Sequence, residues 1–391
     1  MFTIKTLNAI SPLGLDRFPS STYEIGTEIS DPNALLLRSA SLHGVEIPDS
    51  VLAVARAGAG TNNIPIADYS AKGIPVFNTP GANANAVKEL TLAGIFLAAR
   101  NIIDGAAFAH RLEGDADSMS EAVEKGKKQF VGWELPSRTL AVIGLGAIGV
   151  EVANSASALG MRVMGYDPAL TVDNAWKLSS GVEKVTSPEA MFNDADIVTV
   201  HVPLLEETKG MIGAKQIALM KSSCVIINFS RAPIVDEDAI AAALDADRLG
   251  GYVCDFPSPQ FNKRAKCVTL PHLGASTYEA EENCARMAVD QLRDYLENGI
   301  IRNSVNFPTI DLARRQGSSR LGIANSNVPN MVGQISALLA DAGLNIADLL
   351  NRSKGELAYT LVDIEGEIPD AVVAQIREIP GVLSARTISE S

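Results

Sequence analysis

Apolar residues along this chain gather in short runs closed by Gly, Pro, Asn or Asp, and between the runs the spacing changes to that of a helix. In the first 85 residues, "ALLLRSAS" (34–41) predicts a strand ending at Arg38-Ser39. "LAVARAGAGTNN" (52–63) predicts a strand running into a glycine-rich loop, and "GIPVFNTPGAN" (73–83) one closed by Asn78 and Pro80. Strands alternating with helical segments predict a small parallel α/β unit. Residues 85–114 then carry Val87, Leu90, Leu92, Ile95 and Phe96 at helical spacing, in a stretch long enough to join two domains.

From about 138 to 275 the pattern repeats more strongly. "TLAVIGLG", "RVMGYDP", "DIVTVHVP", "CVIINFS", "GGYVCDF" and "CVTLPHL" are six near-continuous apolar runs with helical stretches between most of them. Such runs predict a parallel sheet covered on both faces. Residues 276–299 form a helical pattern that opens on Ser276 and Glu279 at capping-box spacing and closes at Gly299. "LARRQGSSRLG" has linker composition. Residues 320–391 read strand, helix, strand, strand, helix, strand, a separate βαββαβ unit. The expected division is 1–85 and 284–310 as one discontinuous domain, 86–283 as a second, 311–319 as a linker and 320–391 as a third.

Composition narrows the partners. The 391 residues are 47% hydrophobic and 20% charged, with a net charge of −13. That balance argues against nucleic acid or an anionic membrane surface, though a local arginine pocket can still bind a small acidic substrate. No apolar run approaches the roughly 20 residues of a membrane span, and "MFTIKTLNAISPLG" lacks an export-type apolar core. A cytoplasmic protein is expected. Cys224, Cys254, Cys267 and Cys284 show neither a CxxC pair nor metal-ligand spacing with histidine, so no metal is expected.

The chemistry enters at "VIGLGAIGVEVA". Gly144, Gly146 and Gly149 follow an apolar strand and open a helix, and Asp167 closes the next strand. Gly144 makes the turn, Gly146 lets the backbone approach a pyrophosphate, and Gly149 allows close helix–sheet packing. The helix N-terminus meets the phosphate charge. Asp167 can accept from both ribose hydroxyls and would repel a 2′-phosphate, so the pattern predicts NAD on a Rossmann-type doubly wound parallel sheet. Hydride transfer from an alcohol also needs a proton acceptor, and histidine suits that role near neutral pH. Of the four histidines, His43 and His110 fall in a turn and a helical run, whereas His201 and His272 end strands, where ligand crevices form. His272 has the stiffer setting, between Pro271 and Leu273 with Gly274 beyond.

"GLGAIG", "INFSRAPIVDEDAI" and "LPHLGAS" together resemble the D-isomer-specific 2-hydroxyacid dehydrogenases. The resemblance spans nearly the whole chain, and "ARAGAGTNNIPI", "GIPVFNTPGAN" and the C-terminal unit direct it to a phosphorylated D-2-hydroxy acid, D-3-phosphoglycerate, as substrate. It implies a flavodoxin-like substrate domain built from both sides of the cofactor domain, and a homo-oligomer, dimer or tetramer. It implies that His272 takes the hydroxyl proton, that Arg231 binds the substrate carboxylate and C2 oxygen, and that Asp255 contacts the nicotinamide amide. Ala147, Ile148, Phe229, Ser230 and Gly274 are implied to line the cofactor, and His201 is expected to line the same cleft from its place at a strand end. The family's "D-V-F-x-x-E-P" pattern is shortened here to "CDFPSPQF", and the glutamate that pairs with the histidine is absent. Asp255, a residue outside the motif, or no charged partner at all are the open replacements.

A phosphate needs cations or amides. Arg38, Ser39 and Arg56 at strand ends, the "RAGAG" backbone at Gly58, and Asn78 are the candidates. The C-terminal unit resembles an ACT domain, a small-molecule sensor that in related dehydrogenases binds L-serine. Asn327 and Asn345 match polar ligand positions, with Asn325 where a histidine is usual. The alternatives are a glyoxylate/hydroxypyruvate or D-lactate-type dehydrogenase, or an NAD-responsive regulator on the same scaffold.

Overall fold

Strands Phe2–Leu7 (β1), Tyr23–Gly26 (β2), Ala34–Leu37 (β3), Ala53–Arg56 (β4) and Val76–Phe77 (β5) form a parallel sheet in the order β2-β1-β3-β4-β5. The apolar pattern predicts β3, β4 and β5. It does not single out β1 and β2, where Thr3, Lys5 and Glu24 interrupt the apolar positions. Leu37 pairs with Arg56, so Arg38 and Arg56 leave the carboxyl ends of neighbouring strands. The computed structural model describes residues 1–389. It divides into a first unit, Met1–Asn83 together with the chain from Tyr278 onward, and a second unit, Ala84–Thr277.

The second unit holds Thr139–Ile143 (β6), Arg162–Tyr166 (β7), Val182–Lys184 (β8), Ile197–Val200 (β9), Val225–Asn228 (β10), Gly251–Cys254 (β11) and Cys267–Thr269 (β12). The sheet order is β12-β11-β10-β9-β6-β7-β8, all parallel. All six predicted strands are present. The seventh, β8, lies at the edge with Glu183 and Lys184 exposed, and carries no apolar run to announce it. Strand order reverses between β6 and β9, which is where doubly wound sheets open a ligand crevice. Separate apolar clusters, around Phe192, Ile226 and Leu249 and around Ile95, Val142 and Val253, bury the sheet.

The long stretch after residue 84 is two helices, Ala84–Arg100 and Ile102–Ala109, bent by 66°. Asn101 at φ 48° breaks them, since a left-handed residue cannot continue an α-helix. Among the described residues no single helix is long and apolar enough to cross a membrane. The expected Ser276–Glu279 capping box also differs. The helix begins at Tyr278, and the Ser276 hydroxyl donates to the His272 carbonyl instead (3.4 Å).

Ser318–Ser326 (β13), Asn345–Lys354 (β14), Leu357–Glu365 (β15) and Val382–Ile388 (β16) make an antiparallel sheet in the order β14-β15-β13-β16. Helices Met331–Asp341 and Asp370–Arg377 cover one face through Ile335, Leu339, Val373 and Ile376. The other face, through Tyr359, Leu361 and Ile388, shares a core with the helix Tyr278–Asn298. The segment expected to be a loose linker is pinned. Arg314 donates to the Ile388 carbonyl (2.7 Å), the Arg315 amide donates to Asp363 (3.2 Å), and Arg320 forms a fully buried ion pair with Asp363.

Candidate active site

The glycine turn fits a dinucleotide on its own geometry. Gly144 has φ +90°, and a Cβ there would meet the His201 carbonyl at 2.6 Å. A Cβ on Gly149 would strike the Gly144 carbonyl at 1.8 Å, whereas one on Gly146 would meet nothing within 4 Å. Two glycines therefore serve the fold and the third keeps a space open. Gly146 is the N-cap of the helix Ala147–Ala158 and offers no side-chain cap. Its first-turn amides are left for an anion. Asp167 accepts from the Leu145 and Ala169 amides (2.8 Å each), which fixes its carboxylate beside the loop and leaves lone pairs for ribose hydroxyls.

Arg231, Asp255 and His272 follow the carboxyl ends of the adjacent strands β10, β11 and β12. Asp255 is buried. Its Oδ2 accepts from the Gly274 amide (2.9 Å), while Oδ1 is enclosed without a partner. Burial raises the Asp255 pKa, and the Gly274 N–H and the charges of His272 and Arg231 oppose the rise. His272 sits at φ 51°, its amide donating to the Asp255 and Leu270 carbonyls (2.9 and 3.1 Å). This backbone turn projects an exposed imidazole. Its ring neighbour is Phe256, edge-on at 5.2 Å, and among the described residues no side chain hydrogen-bonds it. Arg231 donates to the Ser230 carbonyl (2.6 Å), and Ser230 Oγ donates to the Val200 carbonyl (2.7 Å). Phe229 differs from its expected place, because its ring is buried in the core beside Gly94 and Val253. Ile148 is likewise packed against the core, and Ala147 is exposed at the helix start.

His201 is distinguished from His272 by its surroundings. Its Nε2 shares a hydrogen bond with Thr199 Oγ1 (3.0 Å), its Nδ1 is enclosed without a partner, and burial pushes its pKa down to about 4. So weak a base is unsuited to taking a proton at neutral pH. The unfolded chain protonates this residue near 6.5, the folded chain only near 4. Its contribution to stability is complete above pH 6.5 and is lost as pH falls toward 4. The urea midpoint should drop between pH 7 and 5, and His201→Asn should flatten that drop. Parallel curves for the two proteins would refute the linkage.

In the first unit, Arg56 Nε donates to the Arg38 carbonyl (2.9 Å) and Arg38 pairs with Glu281 (2.8 Å). The Arg56 guanidinium lies over Gly58, where a Cβ would meet Nη1 at 2.5 Å. Asn78 Nδ2 donates to the Ala59 carbonyl (2.6 Å), and the Ser39 amide donates to Asn8 (3.2 Å). The structure thus gathers Arg38, Arg56, Gly58 and Asn78 around one loop. It adds buried Thr79 and Cys284, the latter sensing the charges of both arginines, which no sequence motif marked.

Comparison with known proteins decides the family. Residues 97–275 match the family model described as D-isomer specific 2-hydroxyacid dehydrogenase, NAD binding domain. The chain is 30% identical over 402 residues to the D-3-phosphoglycerate dehydrogenase of Haemophilus influenzae, covering 98% of this chain and 94% of that protein. The chain belongs to the D-isomer-specific 2-hydroxyacid dehydrogenase family. The D-3-phosphoglycerate dehydrogenase of Escherichia coli K12 is 32% identical over 342 residues, covering 84% and 79% of the two chains. The NAD+-bound 3-phosphoglycerate dehydrogenase of Entamoeba histolytica matches with a TM-score of 0.59 at 25% identity, over 78% of this chain and 98% of that one. The apo D-mandelate dehydrogenase of Rhodotorula graminis (TM-score 0.67, 22% identity, 80% and 99% covered) shares the fold.

As a member of this family the chain is an NAD-dependent oxidoreductase. Phe256, directly after Asp255, stands edge-on against the imidazole. In the C-terminal sheet, Asn327 donates to the Gly355 carbonyl (3.0 Å), Asn325 is buried with Oδ1 unpaired, and Asn345 donates to Glu365 (2.8 Å). The register places Asn345 and Asn327 at opposite ends of β15. No single sheet can bring the two to one small ligand.

Proposed function

We propose that the chain oxidises D-3-phosphoglycerate to 3-phosphohydroxypyruvate with NAD, the entry step to L-serine. The observation that carries this reading is the match along 94% of the H. influenzae enzyme, joined by two arginines at neighbouring strand ends in the first unit. When bound, NAD supplies the hydride acceptor. The His272 imidazole takes the proton of the C2 hydroxyl. The Arg231 fork clamps the carboxylate and polarises the C2 oxygen. Asp255 Oδ1 would accept from the nicotinamide amide, Asp167 from the ribose, and Gly144, Gly146 and Gly149 would admit the pyrophosphate. Arg38 and Arg56, with the amides of Ala59 and Gly60, supply charge and donors for the phosphate.

The test is turnover. NADH should form from D-3-phosphoglycerate far faster than from D-lactate or glycerate; equal rates would favour another D-2-hydroxy acid. NADH binding without turnover would favour a regulator. Arg56→Ala should raise KM for the phosphorylated acid at least tenfold more than for glycerate, one tenfold step corresponding to about 1.4 kcal/mol. Equal effects on both would remove the phosphate assignment.

We also propose a cytoplasmic homo-oligomer, dimer or tetramer. Helices Ile102–Ala109 and Ala116–Gly126 bury no residue, and Ile102, Ile103, Val123 and Val131 stay exposed beside them. Such an arm fits a second copy. Light scattering should give a multiple of the 41.3 kDa chain, and a monomer at micromolar concentration would sink this. The C-terminal sheet is proposed as an ACT-type sensor for an amino acid such as L-serine. An effector touching both Asn327 and Asn345 would have to bridge two copies.

A further inference from the structure

A general base works only when its lone pair is aimed at the proton, and among the described residues no side chain hydrogen-bonds the His272 imidazole. The carboxylate of Asp255, at the neighbouring strand end, does not aim it. Its Oδ2 accepts from the Gly274 amide (2.9 Å), and its Oδ1 is enclosed with no partner. The backbone at φ 51° fixes where the side chain of His272 leaves the chain. It does not fix the two side-chain torsions that turn the ring.

The ring that meets the imidazole is Phe256, with centroids 5.2 Å apart and planes at 73°. Near-perpendicular planes at this separation are a favoured arrangement of two aromatic rings. Phe256 is itself held. Pro257 follows it and disfavours helical backbone at Phe256. The Cys254 thiol donates to the Phe256 carbonyl (3.6 Å), and the Phe256 side chain packs against the apolar cluster around Phe192, Ile226 and Leu249. Further along, the Phe261 and Asn262 amides both donate to the Ser258 carbonyl (3.1 and 2.9 Å). Phe261 is buried, its ring centroid 4.8 Å from that of Tyr252. Both ends of this loop are therefore tied to the core of the second unit, and the Phe256 ring stands as a wall beside the imidazole.

A hydrocarbon ring neither gives nor takes a proton. It restricts the rotation of the imidazole and leaves both ring nitrogens free, one for the C2 hydroxyl and the other for water. A hydrogen-bonding partner would occupy one of them.

We infer, on the reaction proposed above, that Phe256 is a positioning residue. Its ring holds the His272 imidazole at the angle from which the base takes the proton of the C2 hydroxyl.

Phe256→Leu keeps an apolar side chain against the core and removes the ring. It should lower kcat at least tenfold, a factor equivalent to about 1.4 kcal/mol at the transition state. KM for the D-2-hydroxy acid and for NAD should stay within twofold of the parent. Phe256→Tyr, which restores a ring, should bring kcat back to within threefold. In a His272→Asn background, Phe256→Leu should change the residual rate by less than twofold, because residues that act as a unit are not additive. Thermal melts establish that each variant is folded at the assay temperature. A measurement on the parent does not depend on any Phe256 variant folding. With isotope-labelled histidine and phenylalanine, the His272 imidazole protons, assigned by their loss in His272→Asn, should show a nuclear Overhauser contact to the Phe256 ring. The inference is overturned by a kcat within twofold of the parent in Phe256→Leu, or by a loss carried in KM. A further tenfold loss in the His272→Asn background, a Phe256→Tyr enzyme no faster than Phe256→Leu, or an absent Overhauser contact also overturns it. A parent that turns over no D-2-hydroxy acid sinks the proposed reaction itself, whereas normal turnover that ignores residue 256 sinks only the positioning role.

Discussion

The His272→Asn enzyme is expected to lose roughly 10²- to 10⁴-fold in kcat, the usual contribution of a positioned general base, while keeping its fold. Asparagine suits this test because it tolerates the left-handed backbone that residue 272 adopts at φ 51°. The backbone bonds from this amide to the Asp255 and Leu270 carbonyls do not depend on the side chain. The imidazole is exposed, so no cavity is opened. Stability should stay within about 0.5 kcal/mol of the parent. Steady-state NADH formation and thermal melts, run together, separate lost chemistry from lost structure. A kcat within threefold of the parent would mean that the proton acceptor lies elsewhere. Asp255→Asn sharpens the result, since asparagine keeps an oxygen for the Gly274 amide but removes the charge nearest the site. A near-normal kcat with an unshifted pH–rate profile in that variant would show that the imidazole works without Asp255 as its counter-charge.

How much of this was legible depended on the kind of interaction. The strands that lead to Arg231 and Asp255, β10 and β11, lie inside a parallel sheet, so both faces had to be apolar and the runs stood out. The strand that leads to His272, β12, is an edge strand that is only half-buried yet still carries an apolar run. The glycine turn was legible because a Cβ at two of its positions would collide with backbone, a constraint only glycine meets. The opposite edge strand, β8, is short, exposes Glu183 and Lys184, and carries no such run. The kink at Asn101 rests on one φ angle inside a segment whose apolar spacing continues through it. The arginines of "LARRQGSSR" read as solvated linker because their partners, Asp363 and the Ile388 carbonyl, lie 43 to 74 residues away.

Asp363→Asn is expected to produce the largest loss of stability, about 3–5 kcal/mol, because it strands a buried guanidinium. Arg320 and Asp363 are both 0% exposed and joined by two parallel bonds of 2.7 and 2.8 Å. The remaining Nη1 of Arg320 donates to the Asn298 carbonyl (3.1 Å) and the Leu312 carbonyl (2.9 Å). Asn298 ends the helix Tyr278–Asn298, whose last carbonyls have no partner within the helix. Arg386 serves the same end, donating to the Tyr295 and Leu296 carbonyls with its guanidinium 4.6 Å from the Tyr295 ring. Two cations from the C-terminal sheet therefore complete the negative end of that helix dipole. This makes the sheet part of the first unit's core, where an appended module would have been expected. Removing both charges together, as Arg320→Met with Asp363→Leu, should cost less than Asp363→Asn alone, since no ion is then left buried. Chemical denaturation of the two variants decides it. If Asp363→Asn unfolds within about 0.5 kcal/mol of the parent, water reaches the pair in solution and the sheet is held to the helix by apolar contact alone.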